Sequence, residues 1–204
     1  MKSPSFSLRF LRRATRSNHA GAESTLVMRA LLDERLGLQA YIALLQGYHA
    51  LYTMWETQHS AWLSGDLIVS GWSYRSRIPS IESDLIELGV PLDPKKDHGT
   101  ESKRVANTRS TPMPHIALTP WGALYVIEGS ALGGQIIARH LSAEFPCHPH
   151  GFFNLCHGKG LPTWRNFQCA IEDHLLDASS RRAITLQARN MFGLFQKMLE
   201  GIAA

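Results

Sequence analysis

A histidine and a glutamate one helical turn apart, His19 and Glu23, are the first residues in this chain whose types and spacing suit a metal. Neutral imidazole is a good ligand for iron. A carboxylate four residues on lies on the same helix face. It can accept the second ring N–H of a metal-bound imidazole, fixing the tautomer and raising the basicity of the ligand. The same pair is also common on helices as a polar contact with no chemistry attached.

A second feature is the run Glu128-Gly129-Ser130-Ala131-Leu132-Gly133-Gly134-Gln135. A glycine inside a helix costs about 0.8–1 kcal/mol relative to alanine, so three of them within six residues need a reason. A turn between two helices is one. Close helix–helix packing is another, because a missing side chain lets backbones approach. The third is a large flat group lying directly against the helix. Taken alone, the segment is most simply read in the first two ways.

These residues need elements to hold them, and the periodicity is helical nearly throughout. Leu8, Leu11, Thr15, His19 and Ala22 recur at spacings of three and four, which predicts a helix from about Ser7 to Ser24. A short helix follows near Leu26–Leu31. A long one is expected from Leu38 to Leu63, ended by Gly65-Asp66. Another is expected over Trp72–Leu88, with Pro79 inside or breaking it and Gly89 and Pro91 as the stop. The stretch from about 91 to 114 is rich in charge, Pro, Asn, Ser and Thr and reads as a long loop. Thr119-Pro120 looks like an N-cap followed by a first-turn proline. The helix it opens runs to about Glu144 and contains the glycine run. Phe152-Phe153 is expected to dock into the core, and two helices close the chain, near Thr163–Leu175 and Ser180–Leu199. The sum is an all-α bundle of about seven or eight helices, in one domain over residues 1–204 with a short tail at 1–6.

The 204 residues suffice for a real core, and 44% hydrophobic with 19% charged residues is ordinary for a globular protein. The formal charge of +4 is mild. Lys2, Arg9, Arg12, Arg13 and Arg16 make the first segment locally basic. This is either a solvated helix face or a cationic rim for an anionic ligand or an acidic redox partner. No nucleic-acid motif accompanies the charge, so nucleic acid is not expected as a partner. No segment reads as a membrane span or a secretory signal. Three irregularly spaced cysteines, Cys147, Cys156 and Cys169, do not form a disulfide framework, which points to a cytoplasmic protein. His148, His150 and His157 lie near Cys147 and Cys156 and could mimic a metal site, but Pro149 and the loop spacing read as surface.

Together, the two features resemble the haem oxygenase family, specifically its bacterial branch, which includes enzymes that supply bilin to bacteriophytochromes. The proximal pattern stands as Leu11, Arg12, Thr15, His19 and Glu23. The distal one stands as Leu124-Tyr125-Val126-Ile127-Glu128-Gly129-Ser130-Ala131-Leu132-Gly133-Gly134-Gln135. Fainter echoes follow in the family's order: Arg75 and Arg77 with Asp84-Leu85 and Leu88-Gly89, then Phe152-Phe153, then Trp164-Arg165 and Phe167. The ordered set spans nearly the whole chain.

The resemblance implies a haem held between two helices. His19 would be the iron ligand and Glu23 its partner. Gly129, Gly133 and Gly134 would form the distal face, with Gly129, Ser130 and Gly133 at the reacting centre. Family members are monooxygenases that use haem b as cofactor and substrate. With dioxygen and electrons they open the ring to biliverdin, iron and carbon monoxide. Electrons would come from an external ferredoxin or flavin reductase, because the chain has no flavin, nicotinamide or iron–sulfur motif. A bacteriophytochrome is a recipient of biliverdin that the bacterial branch suggests. Arg12 and Arg16, on the His19 side of the helix, resemble the family's propionate-binding positions, with Tyr125 and Arg189 as further candidates. The mammalian-type pattern has an aspartate where this chain has Ser130. As in other bacterial members, protons would then travel through a water network whose members the sequence does not name. Two alternatives are a carrier or sensor that binds haem without turnover, and a related all-α fold with another ligand, such as a thiamine-salvage hydrolase or a quinone-type cofactor enzyme.

Overall fold

Helix α1 (Phe6–Glu23) turns Leu8, Leu11 and Thr15 inward, all 5% exposed or less. Thr15 returns its hydroxyl to the Leu11 carbonyl at 2.9 Å, so a polar residue sits in the apolar stripe without an unmet bond. Described by a computed structural model are residues 6–63, 71–92, 120–148, 150–155 and 160–203. They form nine helices and no strand, an all-α architecture. The Gly65-Asp66 stop, Thr119 and most of the loop expected near 91–114 lie outside the described residues.

After α2 (Leu26–Leu32), α3 (Leu38–Gln58) buries Tyr41, Leu44, Leu45, Leu51, Tyr52 and Trp55 along its length. The single helix expected to reach Leu63 is interrupted at His59. There the imidazole lies 2.8 Å from the Trp55 carbonyl and stacks on the Trp55 ring at 4.8 Å, and the short α4 (Ser60–Leu63) follows. Helix α5 (Ile78–Glu87) starts later than the pattern suggests. Pro79 falls in its first turn, where a missing amide proton costs nothing.

Helix α6 (Trp121–Glu144) carries the glycine run unbroken, which removes the turn reading. Pro120 is its N-cap residue rather than its first helical one. Beyond it come α7 (Gly151–Asn154), α8 (Gly160–Glu172) and α9 (Ala178–Glu200). Asp177 caps α9 by accepting from the amides of Ser179 and Ser180, both at 2.8 Å.

The last helix is the hub. Its Ile184, Ala188, Met191, Phe192, Phe195 and Leu199 are buried, and α1, α2, α3 and α6 all pack on it. The crossing with α6 is close because Gly122 leaves room: a Cβ there would stand 2.1 Å from the Ile184 carbonyl oxygen. No helix among the described residues is long and apolar enough to cross a membrane.

Candidate functional site

Helices α1 and α6 both pack on α9, and Tyr125 of α6 reaches Thr15 of α1. His19 lies on α1 and the glycine run on α6. His19 Nδ1 lies 3.1 Å from Glu23 Oε2, with both side chains more than half exposed. The buried Phe192 of α9 meets the His19 ring edge-on at 5.6 Å and orients it. With Nδ1 engaged by the carboxylate, Nε2 is the nitrogen available for a ligand.

The three glycines have different surroundings. A Cβ on Gly134 would come within 2.6 Å of the Phe153 carbonyl oxygen, so Gly134 is a close-packing glycine facing α7. A Cβ on Gly133 would meet nothing within 4 Å, and one on Gly129 only the Trp164 ring at 3.6 Å. Packing therefore accounts for Gly134 and not for the other two. Beside Gly133, Leu132 and Ile136 are 37% and 53% exposed. An apolar helix face with open glycines, in a fold that also presents an exposed histidine on α1, suits a flat apolar macrocycle, so the residues present fit a haem.

Near the N-terminal end of α6, Tyr125 meets Thr15 of α1. Burial pushes its phenol up, opposed by a hydrogen bond with Thr15 and by the charge of Arg12. Arg12 and Arg16 are exposed on α1. Arg189 is tied to the backbone of α1. Its Nε and Nη2 donate to the Ala14 carbonyl at 3.1 and 2.9 Å, bracing α9 against α1.

Behind the glycine face lies a cavity of about 60 Å³ whose polar lining comes from Tyr48, Tyr52, Arg77 and Ser130. Ser130 donates to the Ile127 carbonyl at 2.8 Å and shares a hydrogen bond with Tyr52. Burial pushes the Tyr52 phenol up to about 12, against the opposing pull of Arg77 and Ser130. Arg77 Nη2 pairs with Glu128 Oε1 at 2.9 Å, both nearly fully buried. Burial raises the Glu128 carboxyl, and Arg77 beside it works in the other direction.

Sequence reasoning carried Arg77 and Glu128 only as parts of motifs and did not single out Tyr52. The signal for Tyr52 was a tyrosine on the buried stripe of α3, which reads equally well as core. His150 is a correction. It is 3% exposed rather than a surface residue, because its ring is bonded at both nitrogens inside the fold. Cys147 is an exposed free thiol, while Cys156 and His157 lie outside the described residues. Among the described residues, no group of three or more His, Cys, Asp or Glu is arranged to hold a metal ion. A single axial histidine is not such a group.

The family model described as "Heme oxygenase" matches residues 6–201. A protein named "Heme oxygenase" from Xanthomonas campestris pv. campestris is 34% identical over 175 residues, covering 85% of this chain and 96% of that protein. Among solved structures, the haem oxygenase of Leptospira interrogans superposes with a TM-score of 0.73 at 16% identity, over 96% of this chain and 99% of the other. Heme oxygenase-1 from the cyanobacterium Synechocystis, solved in complex with heme, gives 0.69, also at 16% identity, over 96% and 91%. At that identity the two superpositions establish the shared fold.

Proposed function

This chain belongs to the haem oxygenase family, and from that premise we propose that it seats haem in the cleft between α1 and α6 with His19 as the iron ligand. It is a haem-degrading oxygenase. The observation that carries the seating is the pairing of His19, with Nδ1 held by Glu23, and the open glycine face of α6.

Bound haem supplies the iron at which dioxygen is reduced and is itself the ring that is opened, to biliverdin, iron and carbon monoxide. The protein's part is to hold, orient and protonate. Glu23 accepts from His19 Nδ1–H, which keeps Nε2 free of a proton and directed to the metal. Arg12 and Arg16 provide charge-assisted bonds for the propionates. Tyr125 closes that end of the cleft, and Arg189 contributes by holding α1 in place. Gly129 and Gly133 let the α6 backbone approach the ring.

Ser130 stands where the mammalian-type pattern has an aspartate. Here it belongs to a hydroxyl pair with Tyr52 beside the charge of Arg77, around a cavity large enough for a short chain of waters. Protons reach the reacting centre along that chain, with Tyr52 and Ser130 as its fixed hydroxyls. Electrons come from a ferredoxin or flavin reductase that docks on the basic face of α1. The protein works in the cytoplasm, where exposed thiols such as Cys147 and Cys169 persist, and a bacteriophytochrome is a recipient of its biliverdin.

Hemin titration of the purified protein beside His19→Ala, followed by reduction in air, tests this reading. The expected result is a stoichiometric Soret band in the wild type, altered in the variant, that gives way to a bilin spectrum. A wild-type band unchanged by His19→Ala would overturn the ligand assignment. A band that never yields bilin would overturn the assigned reaction.

A further inference from the structure

Few side chains hold the glycine face of α6: only the Trp164 ring would meet a Cβ on Gly129, and nothing one on Gly133. Apart from Tyr125 meeting Thr15, the position of α6 is therefore set largely by contacts on its other faces. At its N-terminal end α6 rests on α9 through Gly122. At its C-terminal end Glu144 accepts from the amides of Leu36 and Gly37 at 3.1 and 2.7 Å. Beside the glycine run itself, the close backbone contact is Gly134 against the Phe153 carbonyl.

Two knots hold the segment that carries Phe153. Asp84 of α5 is 1% exposed, and its two carboxylate oxygens accept from the amides of Gly151 and Phe152, each at 2.9 Å. His150 Nε2 lies 3.3 Å from the Phe145 carbonyl, which can only accept, so this nitrogen carries the proton. His150 Nδ1 then accepts from the Tyr41 hydroxyl of α3 at 2.8 Å. Residues 150–152 are thus tied to α3 and α5. Just beyond, the Phe152 ring packs against Tyr48 at 5.0 Å and Tyr52 at 6.0 Å, beside the cavity. Hydrogen bonds to an ionised acceptor are among the stronger ones, and a buried amide left without its acceptor is costly.

We propose that Asp84 is a positioning residue for the distal helix: by pinning Gly151 and Phe152 it sets where Phe153 meets Gly134, and so the height of α6 over the cleft. Its consequence for catalysis rests on the reading of that cleft as the haem seat. Asp84 touches neither the cleft nor the cavity's hydroxyls. It acts through the backbone of α7.

The first readout is amide hydrogen exchange in the haem-free protein. Asp84→Asn sets an NH₂ group against one of the two amides. It is expected to speed exchange at Gly151 and Phe152, and also at residues 128–137 of α6, at least tenfold, while α1 keeps its protection. Gly134→Ala, which presses on the same contact from the other side, should speed exchange in the same stretch of α6. It serves as the second variant where Asp84→Asn does not fold. The second readout is the spectrum of the cyanide complex of the ferric haem-loaded protein. It should shift in the same direction in both variants, with the His19-dependent Soret band retained. Exchange in α6 and a cyanide-complex spectrum unchanged from wild type, despite lost protection at Gly151 and Phe152, would overturn the proposal. A wild-type protein that takes up no hemin would defeat the haem seat, and exchange in the haem-free protein would still decide the role of Asp84.

Discussion

At the scale of single residues, the His19–Glu23 pair separates function from stability. Both side chains are more than half exposed, and an exposed pair of this spacing contributes at most about 0.5 kcal/mol to folding. A carboxylate that supports a metal-bound imidazole matters more, and losing such a partner typically weakens metal binding by roughly 10–100-fold. Glu23→Ala is therefore expected to leave the urea midpoint nearly unchanged and to weaken hemin affinity by about that factor. A matched titration and denaturation series checks both halves. Equal hemin affinity in the two proteins would show that Glu23 is only a surface contact. Arg189, a basic residue on the last helix, reaches the Ala14 carbonyl with its guanidinium and so braces α9 against α1.

Elements show why glycines in one run need different explanations. Gly134 and Gly122 are required by neighbouring backbone, at α7 and α9 respectively. Gly133 faces open space, so its helix pays the glycine penalty for no packing gain. Gly133→Ala should raise stability, by up to about 0.8–1 kcal/mol, while a methyl group on the open face weakens hemin uptake. Chemical denaturation and hemin titration on the same sample read the two effects. A variant more stable than wild type with unaltered hemin binding would argue that the ring does not lie on Gly133.

The joint between α6 and α7 also has a pH signature. Burial lowers the pKa of His150 in the fold, whereas an unfolded histidine titrates near 6.5. Below about 6.5 the unfolded chain takes up a proton that the folded protein refuses, so this group costs stability progressively as pH falls from there through its lowered folded value. Above 6.5 it contributes no slope. His150→Gln should flatten the loss of stability between pH 7 and pH 5 without abolishing it, since burial lowers His174 in the same direction. Equal slopes in wild type and variant would mean that His150 does not resist protonation in the fold.

Across the whole molecule, the chain carries a net charge of only +4, yet α1 concentrates Arg9, Arg12, Arg13 and Arg16 along one element. Charge of one sign on one face speeds encounter with an acidic partner and is screened by salt. Arg9 and Arg13 share that face but are not among the residues assigned to the propionates. Arg9→Glu with Arg13→Glu is expected to slow turnover driven by a ferredoxin several-fold at low salt, and to leave turnover driven by ascorbate as it was. Equal slowing with both reductants would place the effect in the cleft rather than at a docking face.

Periodicity and local spacing decided much of this protein. The inward stripe of α1, the long α3 and α6, and the His19–Glu23 turn all follow from residues within a few positions of each other, because a helix places i and i+4 together whatever surrounds it. The ordered motifs were enough to point to the family. Helix ends were less legible: the stop at His59 comes from a side chain turning back on its own helix, and the late start of α5 from where Pro79 could be tolerated. Tertiary structure alone decided which glycine packs and which lies open. It also paired Arg77 with Glu128, buried His150 against Tyr41, and brought Asp84 to the amides of Gly151 and Phe152, 67 and 68 residues away. Such pairs carry no local signature, since a buried polar group finds its partner through the packing of whole helices and not through its neighbours in the chain.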